Sequence, residues 1–185
     1  VFAESDVVVS IASPDPALEI LARFESWGHG TMSRPVLVEA NPLRPASVAP
    51  HLDALDELGF RVVDAGIVGL PPEGDRRPTL LVSGPDASVT DPLDGVAFDV
   101  LHVGDDLGRA SVLRMLHVLL SKGINANLMH LMLVAEEQGV MKDLMALLDS
   151  RRPDLADRIR RSIPWMPADH ERFRTELEEA GAWIE

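Results

Sequence analysis

Ser111, Arg114, His117, Ser121 and Asn125 recur at intervals of three and four along an otherwise apolar stretch. That spacing places all five on one face of a helix. Around them stand Val112, Leu113, Met115, Leu116, Val118, Leu119 and Leu120, so the expected helix, Leu107 to Lys122, is buried round most of its girth. A polar stripe in such a helix faces either a wet cleft or bulk solvent; we read it as the wall of a cleft. An arginine stays charged up to a pKa of ~12 and can grip a carboxylate or phosphate through two parallel bonds, so Arg114 is a candidate anchor for an anionic substrate. His117, one turn away on the same face, carries an imidazole whose intrinsic pKa suits proton transfer near neutrality. Lys122 lies further along, about 80° round the helix from Arg114, and would reach that face from the side.

The elements that must position this stripe read as α/β first and all-α afterwards. Asp6 to Ile11 is a short continuous apolar run, the signature of a strand buried in a parallel sheet. Asp15-Pro16 opens a helix over Ala17 to Trp27, and Val36 to Ala40 is a second strand closed by Asn41-Pro42. Ser47 caps a helix from Val48 to Leu58, with Pro50 in its first turn and Gly59 as its stop. Phe60 to Ala65 is a third strand; Thr79 to Ser83 and Phe98 to Val103 follow without helices between. Gly69 to Pro78, rich in proline, glycine and charge, reads as an exposed loop.

Strand, helix, strand, helix, strand is the order of a doubly wound sheet. Past Gly104 only helices are expected: Leu107 to Lys122, Asn125 to Gln138, Met141 to Leu148, Pro153 to Ser162 and Pro167 to Ile184. The expected division is therefore a partial Rossmann-type domain over 1–104 and a helical domain over 105–185 serving substrate and dimerisation.

Composition narrows the partners. A formal net charge of -13 repels phosphate backbones and anionic lipid, so neither nucleic acid nor membrane is expected. No apolar run is seen that approaches the ~20 residues of a membrane span. Cysteine is absent, which removes disulfides and thiolate chemistry and fits a reducing cytoplasm. The six histidines are scattered, so no metal site is expected. A helical half without its own sheet has further apolar surface to bury, and a homodimer is expected through it.

The first strand poses a problem of its own. An apolar ribbon expects neighbours on both sides, and an uncovered flat edge invites aggregation. The chain holds no G-x-G-x-x-G turn either. Either βα units precede Val1 or a partner chain covers that edge; the former is the expectation.

The segments Val63-Asp64-Ala65-Gly66-Ile67-Val68-Gly69-Leu70-Pro71-Pro72 and Leu81-Val82-Ser83-Gly84-Pro85-Asp86-Ala87, followed by Gly108-Arg109-Ala110-Ser111-Val112-Leu113-Arg114-Met115, resemble the 6-phosphogluconate dehydrogenase and 3-hydroxyisobutyrate dehydrogenase family. Leu120-Ser121-Lys122-Gly123 and Ala135-Glu136-Glu137-Gln138-Gly139-Val140 are similar to a subgroup ending in a helical domain of unknown function. The resemblance implies NAD or NADP and the oxidation of a small hydroxy acid or a related carbonyl–alcohol interconversion. It implies a nicotinamide side at Ser13, Pro14 and Asn41, and substrate contacts at Gly69, Arg114 and Lys122.

Three positions depart from the family pattern. Arg114 stands where the family has lysine, Val118 where it has asparagine, and Val68-Gly69-Leu70 where it has Ser-Gly-Gly. Arginine does not readily carry the proton that lysine carries, so His117 becomes the candidate acid/base. The same departures define the rival expectation, a non-catalytic dimerisation or ligand-binding protein on the same scaffold.

Plainer readings compete at several of these residues. Asn41-Pro42 can be a turn, Ser13-Pro14 a helix entry, Asp105-Asp106 a helix cap, and Arg151-Arg152 with Arg158, Arg160 and Arg161 a solvated face or subunit rim. The remaining histidines and Met129, Met132, Met141 and Met145 read as structural.

Overall fold

The structure is a computed structural model that describes residues 4–168 and 170–184, with the side chains of Pro14, Asp15, Arg172 and Ile184 outside that description. The chain forms two compact units, Val1–His117 together with Glu179–Glu185, and Val118–Glu178.

The first unit is built on β1 (Val7–Ser10), β2 (Val36–Glu39), β3 (Val62–Val68), β4 (Thr79–Ser83) and β5 (Asp99–His102), arranged in that order across one sheet. β1, β2 and β3 run parallel, β4 runs antiparallel to β3, and β5 is parallel to β4. The parallel steps are made by α1 (Pro14–His29) and α2 (Pro45–Glu57), each returning the chain to the same edge as a βαβ crossover must. Strand side chains alternate, and so do the cores. Leu37 and Val62 pack with Ala17, Leu21 and Phe24 of α1 and Leu52 and Leu55 of α2. Val38, Val63 and Ala65 face the other way, with Leu80, Val82 and Ala87.

Several boundaries differ from expectation, each for a local reason. α2 starts a turn before Ser47, because Pro45 takes the first helical position; the Ser47 hydroxyl accepts from Arg44 Nε instead of capping the helix. Pro50 therefore lies in the second turn, where its missing N–H forfeits a helical bond. Gly59 does end the segment, with φ at 78° and the Phe60 amide bonded to Leu55 O. β3 runs on to Val68 because Val68 pairs with Thr79. A 3-10 helix over Ala87–Leu93, unforeseen, connects β4 to β5.

The largest difference is α3 (Arg109–Glu137), one helix of 29 residues where two were expected. Gly123 costs a helix interior about 1 kcal/mol, which the packing of Ile124 and Leu128 just after it offsets. Merging the two segments makes α3 long and apolar enough to cross a membrane by length and composition, which neither half is alone. It also carries Ser111, Arg114 and Asn125 buried in protein contacts.

The second unit holds the later part of α3, then α4 (Met141–Arg151), α5 (Pro153–Ser162) and most of α6 (His170–Ile184). Its core is Leu128, Leu148, Ala156, Ile159 and Ile163. Strands give way to helices after His102, close to the expected Gly104, whereas the compact units part further on, inside α3.

At the border of the sheet, Val7 and Val9 of β1 are 36% and 42% exposed on the face away from α1. The packing of α1 depends on a ring cluster: Phe24 is 1% exposed, with ring centroids 5.4 Å from Trp27 and 5.0 Å from Phe60. Phe24→Ala should lower the stability of this unit by about 3–5 kcal/mol, read as a shift in the urea midpoint at unchanged slope. A loss near zero would remove the ring cluster from the core.

Candidate functional site

In a mostly parallel α/β sheet, sites form at the carboxyl ends of the strands. A polar row crosses the sheet here, from the last residues of β1 and β2 through the third residue of β3 to the last of β4. Ser10 pairs with Glu39, Glu39 with Asp64, and Asp64 with Ser83, so one side chain from each of β1 to β4 stands in register on the face that bears α1 and α2. All four are at most 6% exposed.

The row is bonded in two halves. On one side Asn41, just past β2, donates its backbone N–H to Glu39 Oε1 at 2.8 Å and its Nδ2 to Glu39 Oε2 at 2.9 Å. Nδ2 also donates to Ser10 Oγ at 2.7 Å, and Asn41 Oδ1 accepts the amide of Ala12. On the other side the Asp64 carboxylate accepts from Ser83 Oγ at 2.8 Å, from the Ser111 amide at 3.1 Å and from the Ser111 hydroxyl. Ser83 Oγ in turn accepts the Ala110 amide at 3.1 Å. The unsatisfied first-turn amides of α3 are thus met by β3 and β4, and an acid sits where the helix dipole favours one. Asp105 and Asp106, the expected cap, are exposed.

Burial pushes the Glu39 carboxyl up to about 7; the two Asn41 bonds pull it down, and the charge of Asp64 on the next strand adds to the rise.

Arg114 follows Ser111 by one turn and lies across β3 where that strand has no side chain. A Cβ on Gly66 would sit 2.8 Å from Arg114 Cβ and 3.2 Å from Ala110 O. Glycine at this point is a condition for seating α3, and Arg114 is 7% exposed as a result. The near part of the Arg114 side chain is thereby held against β3.

The other anticipated residues distribute unevenly. Ser13 is exposed at the entry to α1 and makes no side-chain cap bond; the Pro14 side chain lies outside the described residues. The first turn of α1, Pro14-Asp15-Pro16, has two residues without an N–H and one acid, so it offers no cradle for a diphosphate. Asn41 is 3% exposed, its amide engaged within the protein. Gly69, at φ 114°, is exposed past the end of β3. His117 is exposed.

Lys122 is taken up elsewhere. Its Nζ lies 3.0 Å from Glu176 and 3.3 Å from the Phe173 ring centroid. Ser121 and Asn125 are likewise engaged: Arg158 donates to Asn125 Oδ1 at 2.7 Å and to Ser121 O and Oγ at 2.9 and 2.8 Å. The polar stripe is therefore a packing seam at its far end rather than a cleft wall, and Arg158 belongs to that seam and not to a solvated face. Of the remaining histidines, His51 pairs with Glu25 and His102 with Asp91.

Glu39, Asp64 and Gly66 had not been singled out as site residues. The signal that could have found the two carboxylates was an acid inside each of two apolar runs, Val36-Leu37-Val38-Glu39 and Val62-Val63-Asp64-Ala65; Gly66 carries no such signal. A groove of about 530 Å³ between α2 and the start of α3, lined by Val48, Leu52, Leu107 and Val112 among others, contains none of the anticipated site residues.

The comparison with solved structures decides what scaffold this is. A conserved protein of unknown function, described as structurally similar to 3-hydroxyacid dehydrogenases, superposes with a TM-score of 0.74 at 22% identity over 96% of this chain and 66% of its own. The fold is that of the 3-hydroxyacid dehydrogenases. A 3-hydroxyisobutyrate dehydrogenase from Salmonella typhimurium gives 0.72 at 18% identity over 98% and 67%. An imine reductase from Myxococcus stipitatus, solved with NADP+, gives 0.68 at 19% over 91% and 60%. In sequence, an uncharacterized 28.5 kDa protein of Methanothermus fervidus is 28% identical over 145 residues, 78% of this chain and 54% of that protein. No protein-family model matches. The chain spans about half to two thirds of the length of these proteins.

Glu39 makes stability depend on pH with a definite sign. Its folded pKa of about 7 lies above the ordinary 4.5, so between those values the folded state holds a proton that the unfolded chain has released. Unfolding free energy should therefore fall as pH rises from 4.5 to 7 and then level off, by up to about 3 kcal/mol from this group. Denaturation midpoints at pH 5, 6, 7 and 8 test it; a contribution that grows across this window would reverse the assignment.

Proposed function

We propose that this chain is the substrate side of an NAD(P)-dependent oxidoreductase acting on a small hydroxy acid or a related carbonyl–alcohol pair. The observation that carries the reading is Arg114, a buried cation seated on Gly66 at the strand ends of a 3-hydroxyacid dehydrogenase fold. The segments Leu120 to Gly123 and Ala135 to Val140 support placement with relatives that end in a helical domain.

Nicotinamide, when bound, supplies a hydride acceptor or donor. The residues of this chain supply the rest. Arg114 holds the carboxylate of the substrate and, being always charged, steadies negative charge that develops on its oxygen. An arginine does not release a proton at neutral pH, so His117 is the group assigned to move the hydroxyl proton. Ser13 and the Asn41 strand end border the nicotinamide, Asn41 through the position it fixes and not through its own amide. Lys122, paired with Glu176, is left out of substrate contact.

One observation favours the rival reading, a ligand-binding or dimerisation protein on the same scaffold: both Asn41 and Lys122 are committed to internal bonds. The two readings separate in one assay series. The protein, in the length its gene encodes, is titrated with NAD+ and NADP+ and then offered short hydroxy acids. Turnover that falls about a hundredfold in kcat/KM in Arg114→Ala, as loss of a charged bidentate contact implies, supports the oxidoreductase. Cofactor binding with no turnover of any acid favours the scaffold.

Either way we propose a homodimer. Leu113, Leu116, Leu120, Leu131 and Val134 of α3 are 40–63% exposed at helical spacing. Sedimentation should show a dimer that Leu120→Glu converts to monomer; a monomeric parent protein refutes it.

A further inference from the structure

The bonds around Asn41 ask why Glu39 is an acid. A clamp of one amide on another would need only glutamine, without the cost of burying a carboxylate that is 2% exposed beside a second one. The charged groups facing Glu39 are few. Asp64 stands next to it on β3; from β1 comes Ser10, which is neutral; α1 and α2 present the apolar cluster around Leu37; and the cation of α3, Arg114, lies further along at Gly66. What a carboxylate offers here and an amide does not is two acceptors at once, for Asn41 N and for Asn41 Nδ2. Asn41 in turn receives the amide of Ala12, next to Ser13 at the entry to α1.

We propose that Glu39 is a positioning residue: as the carboxylate it grips Asn41 with both oxygens and holds the β1–α1 turn, and on taking a proton from solvent it gives up one of those bonds and the turn loosens. The neutral acid carries an O–H on one oxygen, which faces a donor and must turn away from it. With Glu39 pushed up to about 7, the change falls at neutrality. The catalytic consequence rests on the oxidoreductase reading, because Ser13 borders the nicotinamide only there; the motion of the turn does not.

The test uses amide hydrogen exchange by NMR, expressed as protection factors at pH 6 and pH 8, in the cofactor-free protein. Ala12 protection should rise several-fold from pH 6 to pH 8 in the parent protein, stay low and flat in Glu39→Gln, and rise again in Glu39→Asp. A buried acid with only a structural role predicts the opposite trend, since global stability falls as Glu39 ionises. Ala12 protection that is flat or falling in the parent protein overturns the proposal, and this comparison stands even if Glu39→Gln does not fold. Where turnover is found, kcat/KM should show an acid limb near pH 7 that Glu39→Gln lacks. An intact Ala12 response without turnover supports this inference and sinks the oxidoreductase reading, so the two fail separately.

Discussion

The seating of α3 on β3 is the contact on which the first unit depends. It needs two things of the strand within three residues: an acid at 64 to receive the first-turn amide and hydroxyl of Ser111, and no side chain at 66, so that Arg114 and the Ala110 carbonyl can approach. The acid is tolerable in the sheet because Ser83 and Ser111 spend their donors on it. The approach is tolerable because the helix end brings partial positive charge to that acid. Without either one, the helix would stand off the strand ends and Arg114 would be displaced from them.

The far end of the same helix is held by different chemistry. Arg158 of α5 gathers Ser121 and Asn125 into a forked set of bonds, and Lys122 is closed between Glu176 and the Phe173 ring of α6. These cations join helices to each other, and removing Arg158 would take the donor from the buried Asn125 Oδ1. Such a use of charge explains why a helix of 29 residues with a mean hydropathy of 1.3 over its most apolar stretch carries so regular a polar stripe. The stripe is internal wiring between helices at one end and seats the helix on the sheet at the other.

Much of this was legible in the chain. Continuous apolar runs bounded by Pro and Gly located all five strands, and the order of elements implied the sheet. The parallel-to-antiparallel switch at β4 was not legible in the strand itself, because Leu80-Leu81-Val82 is as continuously apolar as the parallel strands before it. Gly123 read as a break because propensity is local, whereas the contacts of Ile124 and Leu128 that carry the helix through it are tertiary. The stripe was found by spacing, but spacing cannot say what meets it; Arg158 lies 33 residues from Asn125. Glu39 and Asp64 were passed over because each looks like one polar residue in a strand, and only the register Glu39↔Asp64 makes them neighbours.

The register also divides the electrostatic work at the strand ends. An arginine does not titrate near neutrality, so on the proposed reading the affinity that Arg114 contributes for an anion is constant across physiological pH. Glu39 is pushed up to about 7, and in the proposed clamp it acts on backbone position and not on charge presented to a ligand, since it is buried. Replacing a lysine by arginine in such a site removes one source of pH dependence. Burying an acid against a second acid supplies another, in a different term: the geometry of the β1–α1 turn. A site in which both proposals hold binds its anion at any neutral pH and becomes ordered only as the proton leaves, which separates how tightly a substrate is held from how well it is placed.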